Sequence, residues 1–165
     1  MGRIGQKIGK VAKSLGMVIH YHNRSKLDSG KENGAIYHKT LESLMSVSDV
    51  LSVCCPASKE TINLINKKTI SLLPNGAIVT NVARGDIVDD DALIEALDSK
   101  KVSAVGLDVY KNEPKLNPGY LRHSRAFVLP HLGSATFETR TAMANLAIDN
   151  ISEFFETGSC KNKVN

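Results

Sequence analysis

A chain of 165 residues with 42% apolar side chains, 21 Lys and Arg against 17 Asp and Glu, and a net charge of +4 is one ordinary globular domain. Its apolar content excludes a disordered chain, and 12 Gly and 5 Pro without a period exclude a fibrous one. No apolar run approaches the ~20 residues needed to cross a bilayer, and the first residues lack the apolar stretch of a secretory signal, so a soluble, cytoplasmic chain that contacts no membrane is expected.

In chain order, a Gly-rich start leads into a helix over 6–15 and an apolar strand over 17–21, which stops at the polar His22-Asn23-Arg24-Ser25. Residues 35–37 form a short strand, and Thr40 opens a helix as its cap. A strand over 49–55 is halted by Pro56, which has no N–H to give a ladder. A helix over 63–73 and the turn Pro74-Asn75-Gly76 feed a strand over 77–82. Asp89-Asp90-Asp91 begin a helix through Leu97, with acids at the positive end of its dipole. Strands over 103–109 and 126–129 and a last helix over 136–155, with a broad apolar face, complete the chain. Strands that alternate with helices predict an α/β fold, a parallel sheet with crossover helices.

Three cysteines, two of them adjacent, do not form a disulfide framework, and no C-x-x-C or His-rich spacing points to a metal. Lys and Arg are scattered and aromatics are only 5%, so no nucleic-acid partner is expected.

Gly2-Arg3-Ile4-Gly5, followed by Gly9, matches the second half of a dinucleotide loop. One glycine there lets the backbone approach a pyrophosphate, and the next lets the helix pack on the sheet. The strand that enters such a loop and its first glycine do not stand before Met1, so an N-terminally truncated domain is expected. At the end of the next strand, where this fingerprint has an acid for the adenosine ribose, stand Asn23, Arg24 and Ser25. A carboxylate would repel a 2′-phosphate, whereas the Arg24 fork suits one. NADP is therefore expected to be preferred over NAD.

Three motifs then occur in order: Asn81-Val82-Ala83-Arg84-Gly85-Asp86; Gly106-Leu107-Asp108-Val109-Tyr110 with Glu113-Pro114; and Pro130-His131-Leu132-Gly133-Ser134-Ala135-Thr136. With them the chain resembles the D-isomer-specific 2-hydroxyacid dehydrogenases, and more narrowly their glyoxylate/hydroxypyruvate reductase branch, from Gly2 to about Phe155. The resemblance implies a Rossmann-type sheet with helices on both faces and its first strand missing or truncated. It implies a dinucleotide-binding domain over 1–135 and, over 136–165, a C-terminal helix leading toward a largely absent substrate domain.

It also implies roles. Arg84 would hold the carboxylate and keto oxygen of a small 2-oxo acid, and His131, paired with Glu113, would pass the proton. Asp108 would face the nicotinamide, and Gly2, Arg3, Ile4, Gly5, Asn23, Arg24, Ser25, Cys55, Pro56, Thr61, Val82, Ala83, Arg84, His131, Gly133 and Ser134 would line the cofactor. Reducing a ketone leaves negative charge on its oxygen, so a cation and a proton donor beside it are what the transition state requires. Cys54 stands where many relatives carry histidine. A homodimer is expected, because relatives build most of their subunit interface from this domain. A dinucleotide-sensing interaction domain of the co-repressor kind is the alternative reading, since the same fold serves that role.

Overall fold

Each expected apolar run pairs as a strand, and each strand runs parallel to its neighbour in the computed structural model, which describes residues 1–164. Helix α1 (Arg3–Ser14) precedes β1 (His20–His22), followed by α2 (Ser29–Glu32), β2 (Ile36–His38) and α3 (Leu41–Met45). Then come β3 (Val50–Val53), α4 (Lys67–Ser71), β4 (Ala77–Asn81), a 3-10 turn (Gly85–Ile87), α5 (Asp90–Asp98), β5 (Val102–Leu107), α6 (Pro118–Leu121) and β6 (Ala126–Val128). These elements lie in one compact unit, Met1–Pro130; a second unit begins at His131 and carries α7 (Phe137–Thr157).

The strand order is β3-β4-β5-β6 in one sheet, with β1-β2 as a separate pair. This is the expected parallel sheet with helices on both faces, a Rossmann-like arrangement, but divided in two. Strands β1 and β3 do not pair with each other. The amino group of Met1 donates to Asn23 Oδ1, just past β1, and the Met1 side chain shares the face of Gly5 with Cys54, just past β3. The first residue thus lies between the C-terminal ends of these two strands.

The core sits on the four-stranded sheet. Val79, Ile87, Leu93, Leu97 and Val102 are fully buried there, and α5 packs on both β5 and α4. Burial rather than propensity makes α5 stable, since nine residues are too few for an isolated helix. The expected Thr40 cap holds, accepting from Ser43 N, and the structure adds two more: Asp89 accepts from Ala92 N and Thr136 from Thr139 N.

Several boundaries need correction. The helix expected over 63–73 forms only at Lys67–Ser71, because Asn66 caps it in a reciprocal capping box with Thr69 and Asn63 takes a left-handed backbone with φ 50°. The strand expected from 17 starts at His20, because Met17 N is drawn back to Ala12 O at the end of α1. The strands expected over 49–55 and 103–109 pair at Val50–Val53 and Val102–Leu107, and the apolar residues beyond them line loops instead. The short helices α2 and α6 carry too little periodicity to be read from sequence. Among the described residues, no helix is long and apolar enough to cross a membrane.

Candidate functional site

Parallel strands put their C-terminal ends on one edge of a sheet, and there the first two quoted motifs follow β4 and β5. At the start of the chain Gly2 is the N-cap of α1, with extended backbone and nothing within 4 Å of where a side chain would stand. No side chain caps this helix, and its first turn contains the exposed Arg3 and Ile4 and the buried Gly5. Uncapped amides at the positive end of a twelve-residue helix, behind a glycine that leaves open space, fit a phosphate group. A methyl group at Gly5 would meet Cys54 Cβ at 3.7 Å, and one at Gly9 would meet Ile19 Cγ2 at 3.4 Å. Gly9 is therefore the tighter helix-to-strand contact.

Past β1, the Asn23 side chain is engaged by Met1, and Arg24 and Ser25 are exposed. Opposite lies the turn after β3. Thr61 Oγ1 accepts from Ser58 N at 2.7 Å and donates to Pro56 O at 2.9 Å, so Thr61 shapes this turn. The Glu60 carboxyl is held below its ordinary range, first by the Ser58 hydroxyl at 2.6 Å, then by its own backbone, and further by the positive charge of Arg24. Burial pushes the Cys55 thiol up, leaving it protonated at neutral pH beside the exposed Pro56.

The tightest construction follows β4. Asn81, 1% exposed, donates from Nδ2 to Arg84 O at 2.9 Å and accepts from Ala83 N at 3.0 Å. One buried amide therefore folds Val82, Ala83 and Arg84 into a fixed loop at the strand end. Arg84 is exposed and donates from Nη1 to Ala83 O at 2.6 Å. Gly85 then packs on the chain after β5: a methyl group there would lie 1.9 Å from the carbonyl carbon of Tyr110 and 2.1 Å from Lys111 N. Only glycine allows this approach, which brings the Arg84 loop against the segment leading to Glu113.

That segment is equally well held. Asp108, 8% exposed, donates its backbone N–H to Asn81 O at 3.1 Å. Tyr110 N donates to Glu113 Oε1 at 2.9 Å, which fixes the carboxylate. The Tyr110 hydroxyl lies 2.6 Å from Leu129 O and 3.0 Å from Leu107 O, tying the loop to the ends of β5 and β6; burial raises its pKa. Asn81, Gly85 and Tyr110 position this edge without having been singled out for it. A polar Asn closing an apolar strand was the readable signal for the first.

His131, Gly133 and Ser134 belong to the second unit and are exposed, and His131 has a left-handed backbone with φ 55°. In the first unit the loops of Arg84, Asp108 and Glu113 thus follow strands of the four-stranded sheet, the glycine loop and Arg24 flank β1 of the two-stranded pair, and the second unit opens on His131.

Residues 1–133 match the description "D-isomer specific 2-hydroxyacid dehydrogenase, NAD binding domain". A glyoxylate reductase from Pyrococcus furiosus is 42% identical over 154 residues, covering 93% of this chain and 46% of that protein. Among solved structures, a D-isomer specific 2-hydroxyacid dehydrogenase from Polaromonas superposes with a TM-score of 0.95 at 45% identity, over all of this chain and 52% of that one. An NADPH-dependent glyoxylate/hydroxypyruvate reductase from Sinorhizobium meliloti, solved with NADP and malonate, gives 0.92 at 35% identity, over 97% of this chain and 49% of that one. The chain spans about half the length of the curated relatives it matches. A matching domain description over most of the chain, with the glycine-opened helix and the Asn81-Arg84 loop in place, makes this chain a member of the D-isomer specific 2-hydroxyacid dehydrogenase family, carrying its NAD binding domain.

Proposed function

We propose that this chain supplies the cofactor side of an enzyme that reduces a small 2-oxo acid, such as glyoxylate or hydroxypyruvate, and that it prefers NADP(H) to NAD(H). The observation that carries this reading is the contact of Gly85 with Tyr110 and Lys111, which sets the Arg84 loop beside the loop of Glu113 at the strand ends. The α1 N-terminus receives the pyrophosphate, and the reduced nicotinamide, when bound, supplies the hydride.

The protein's residues do the rest. Arg84 presents a guanidinium fork to the substrate carboxylate and keto oxygen, where each charge-assisted bond contributes roughly 1.5–3 kcal/mol. His131 donates a proton to the keto oxygen as negative charge builds on it, and Glu113 is its partner. Asp108 is the residue that would lie toward the nicotinamide when the cofactor is bound. A second copy of the chain covers the apolar positions of α7, giving a homodimer; Phe137 and Phe155 there are 82% and 83% exposed. In a full-length protein, His131→Ala and Arg84→Ala each remove most turnover and leave nucleotide affinity nearly unchanged. Equal loss of both functions overturns the assignment.

The nucleotide preference rests on Arg24. With no carboxylate beside it on the loop, a 2′-phosphate meets the Arg24 guanidinium and the Ser25 hydroxyl, and we expect ~1–3 kcal/mol of discrimination, about ten- to a hundredfold. Fluorescence titration of both nucleotides checks this. Arg24→Asp should reverse or erase the preference, and an unchanged ratio sinks it.

A further inference from the structure

Three histidines stand on one face of the β1–β2 pair. The register sets His22 opposite His38 and His20 opposite Ile36, so His20, His22 and His38 share a face, while Tyr21 and Tyr37 meet on the other with ring centroids 5.3 Å apart. Helix α3 lies on the histidine face, with Ser43 Oγ 3.1 Å from His38 Nδ1. All three histidines are partly exposed.

One arrangement of hydrogens satisfies every group in this chain of hydrogen bonds. With the Ser43 hydroxyl donating to Thr40 O at 3.0 Å, its oxygen accepts from His38 Nδ1. His38 therefore carries its hydrogen on Nδ1 and turns a lone pair outward on Nε2. His20 Nδ1, 2.8 Å away, donates to that lone pair. His22 is occupied differently, donating from Nδ1 to His38 O at 2.9 Å. A one-way chain thus runs from His20 through His38 and Ser43 to the Thr40 carbonyl.

We infer that His20 Nδ1 and His38 Nε2 form a two-ligand site for a borderline divalent cation such as Zn²⁺ or Ni²⁺. Two nitrogens 2.8 Å apart need open only to ~3.4 Å to bind one tetrahedral ion at ~2.0–2.1 Å each. The ion takes the place of the shared hydrogen. His20 moves that hydrogen through solvent from Nδ1 to Nε2, so both imidazoles stay neutral and no net proton is released. His38 already has the outer support that metal-bound imidazoles use, its other N–H being held by Ser43 Oγ, which is itself fixed on Thr40 O. Among the described residues, no group of three or more His, Cys, Asp or Glu side chains forms a metal cage, so water completes the coordination. Imidazole nitrogen selects zinc, nickel or copper over magnesium and calcium. The bound ion clamps two three-residue strands beside the Asn23-Arg24-Ser25 loop.

The test is calorimetric titration of the tag-free chain at pH 7.5 with Zn²⁺, Ni²⁺ and Mg²⁺. We expect one saturable site for Zn²⁺ and Ni²⁺ with Kd below ~1 mM, no site for Mg²⁺, and at least a tenfold loss of affinity in both His20→Asn and His38→Asn. Absence of saturable binding in the wild type, equal binding by either variant, or binding of Mg²⁺ overturns the site. In the unaltered chain, Zn²⁺ must shift the ¹⁵N imidazole resonances of His20 and His38 before those of His123 or His131. A strong near-ultraviolet thiolate band on Co²⁺ addition assigns the ion to the cysteines and overturns the proposal.

Discussion

Helices α5 and α7 are built from similar residues and live in different surroundings. In α5, Ala92, Leu93, Ile94, Ala96 and Leu97 are buried within nine residues, whereas none of the 21 residues of α7 is buried. Both begin on a side-chain cap, Asp89 and Thr136. Local signals therefore start a helix in either place, but only α5 gains from removing apolar area from water, at roughly 25 cal/mol per Å². The site follows the same division: the loops of Arg84 and Glu113 spring from strands anchored in the α5 core, and His131 belongs to the unit that carries α7.

The sharpest way to break this comparison is to cut the same kind of side chain from each helix. Leu93→Ala in the fully buried position should cost about 2–5 kcal/mol in denaturant unfolding. Ile151→Ala, 58% exposed, should stay within about 0.5 kcal/mol at concentrations where the chain is monomeric. On the homodimer proposed above, the same Ile151→Ala at micromolar concentration should weaken self-association in sedimentation. Equal costs for the two changes in the monomer would erase the distinction.

Next in size is Gly85→Ala. The added methyl would meet the Tyr110 carbonyl carbon at 1.9 Å, a backbone atom that cannot swing aside. The two loops must separate, which should cost about 1–3 kcal/mol of stability. In a full-length protein, turnover should fall further than stability alone explains, because Arg84 and Glu113 move apart. Wild-type unfolding and turnover in this variant would show that the loops do not depend on close contact.

The smallest effect concerns pH. Burial holds the Asp90 carboxyl above its ordinary value, opposed by the hydrogen bond from the Tyr120 hydroxyl at 2.8 Å. A raised carboxyl pKa favours the folded state fully below the unfolded value, and that contribution is lost as pH rises through the folded value. Asp90→Asn keeps an oxygen for Tyr120 and removes the charge. Its stability relative to wild type should therefore be highest near pH 7 and decline toward pH 4, as read from urea unfolding at both. A difference that does not change with pH would mean that Asp90 ionises as if in water.

The sequence by itself determined the order of the strands and of the longer helices between them, the cap at Thr40, and the three motifs that carry Arg84, Glu113 and His131. These are local properties: period, side-chain hydrogen bonding to the nearby backbone, and turn chemistry act over a few residues and survive in any surroundings. Only the tertiary structure decided that the strands divide into β1-β2 and β3-β4-β5-β6, that helix 63–73 shrinks to Lys67–Ser71, and that Gly85 lies against Tyr110. It also decided that Asn81 folds the Arg84 loop and that His20 reaches His38. Each of these joins atoms far apart along the chain or weighs one hydrogen bond against another, and neither spacing nor composition encodes which partner a buried amide or imidazole will meet.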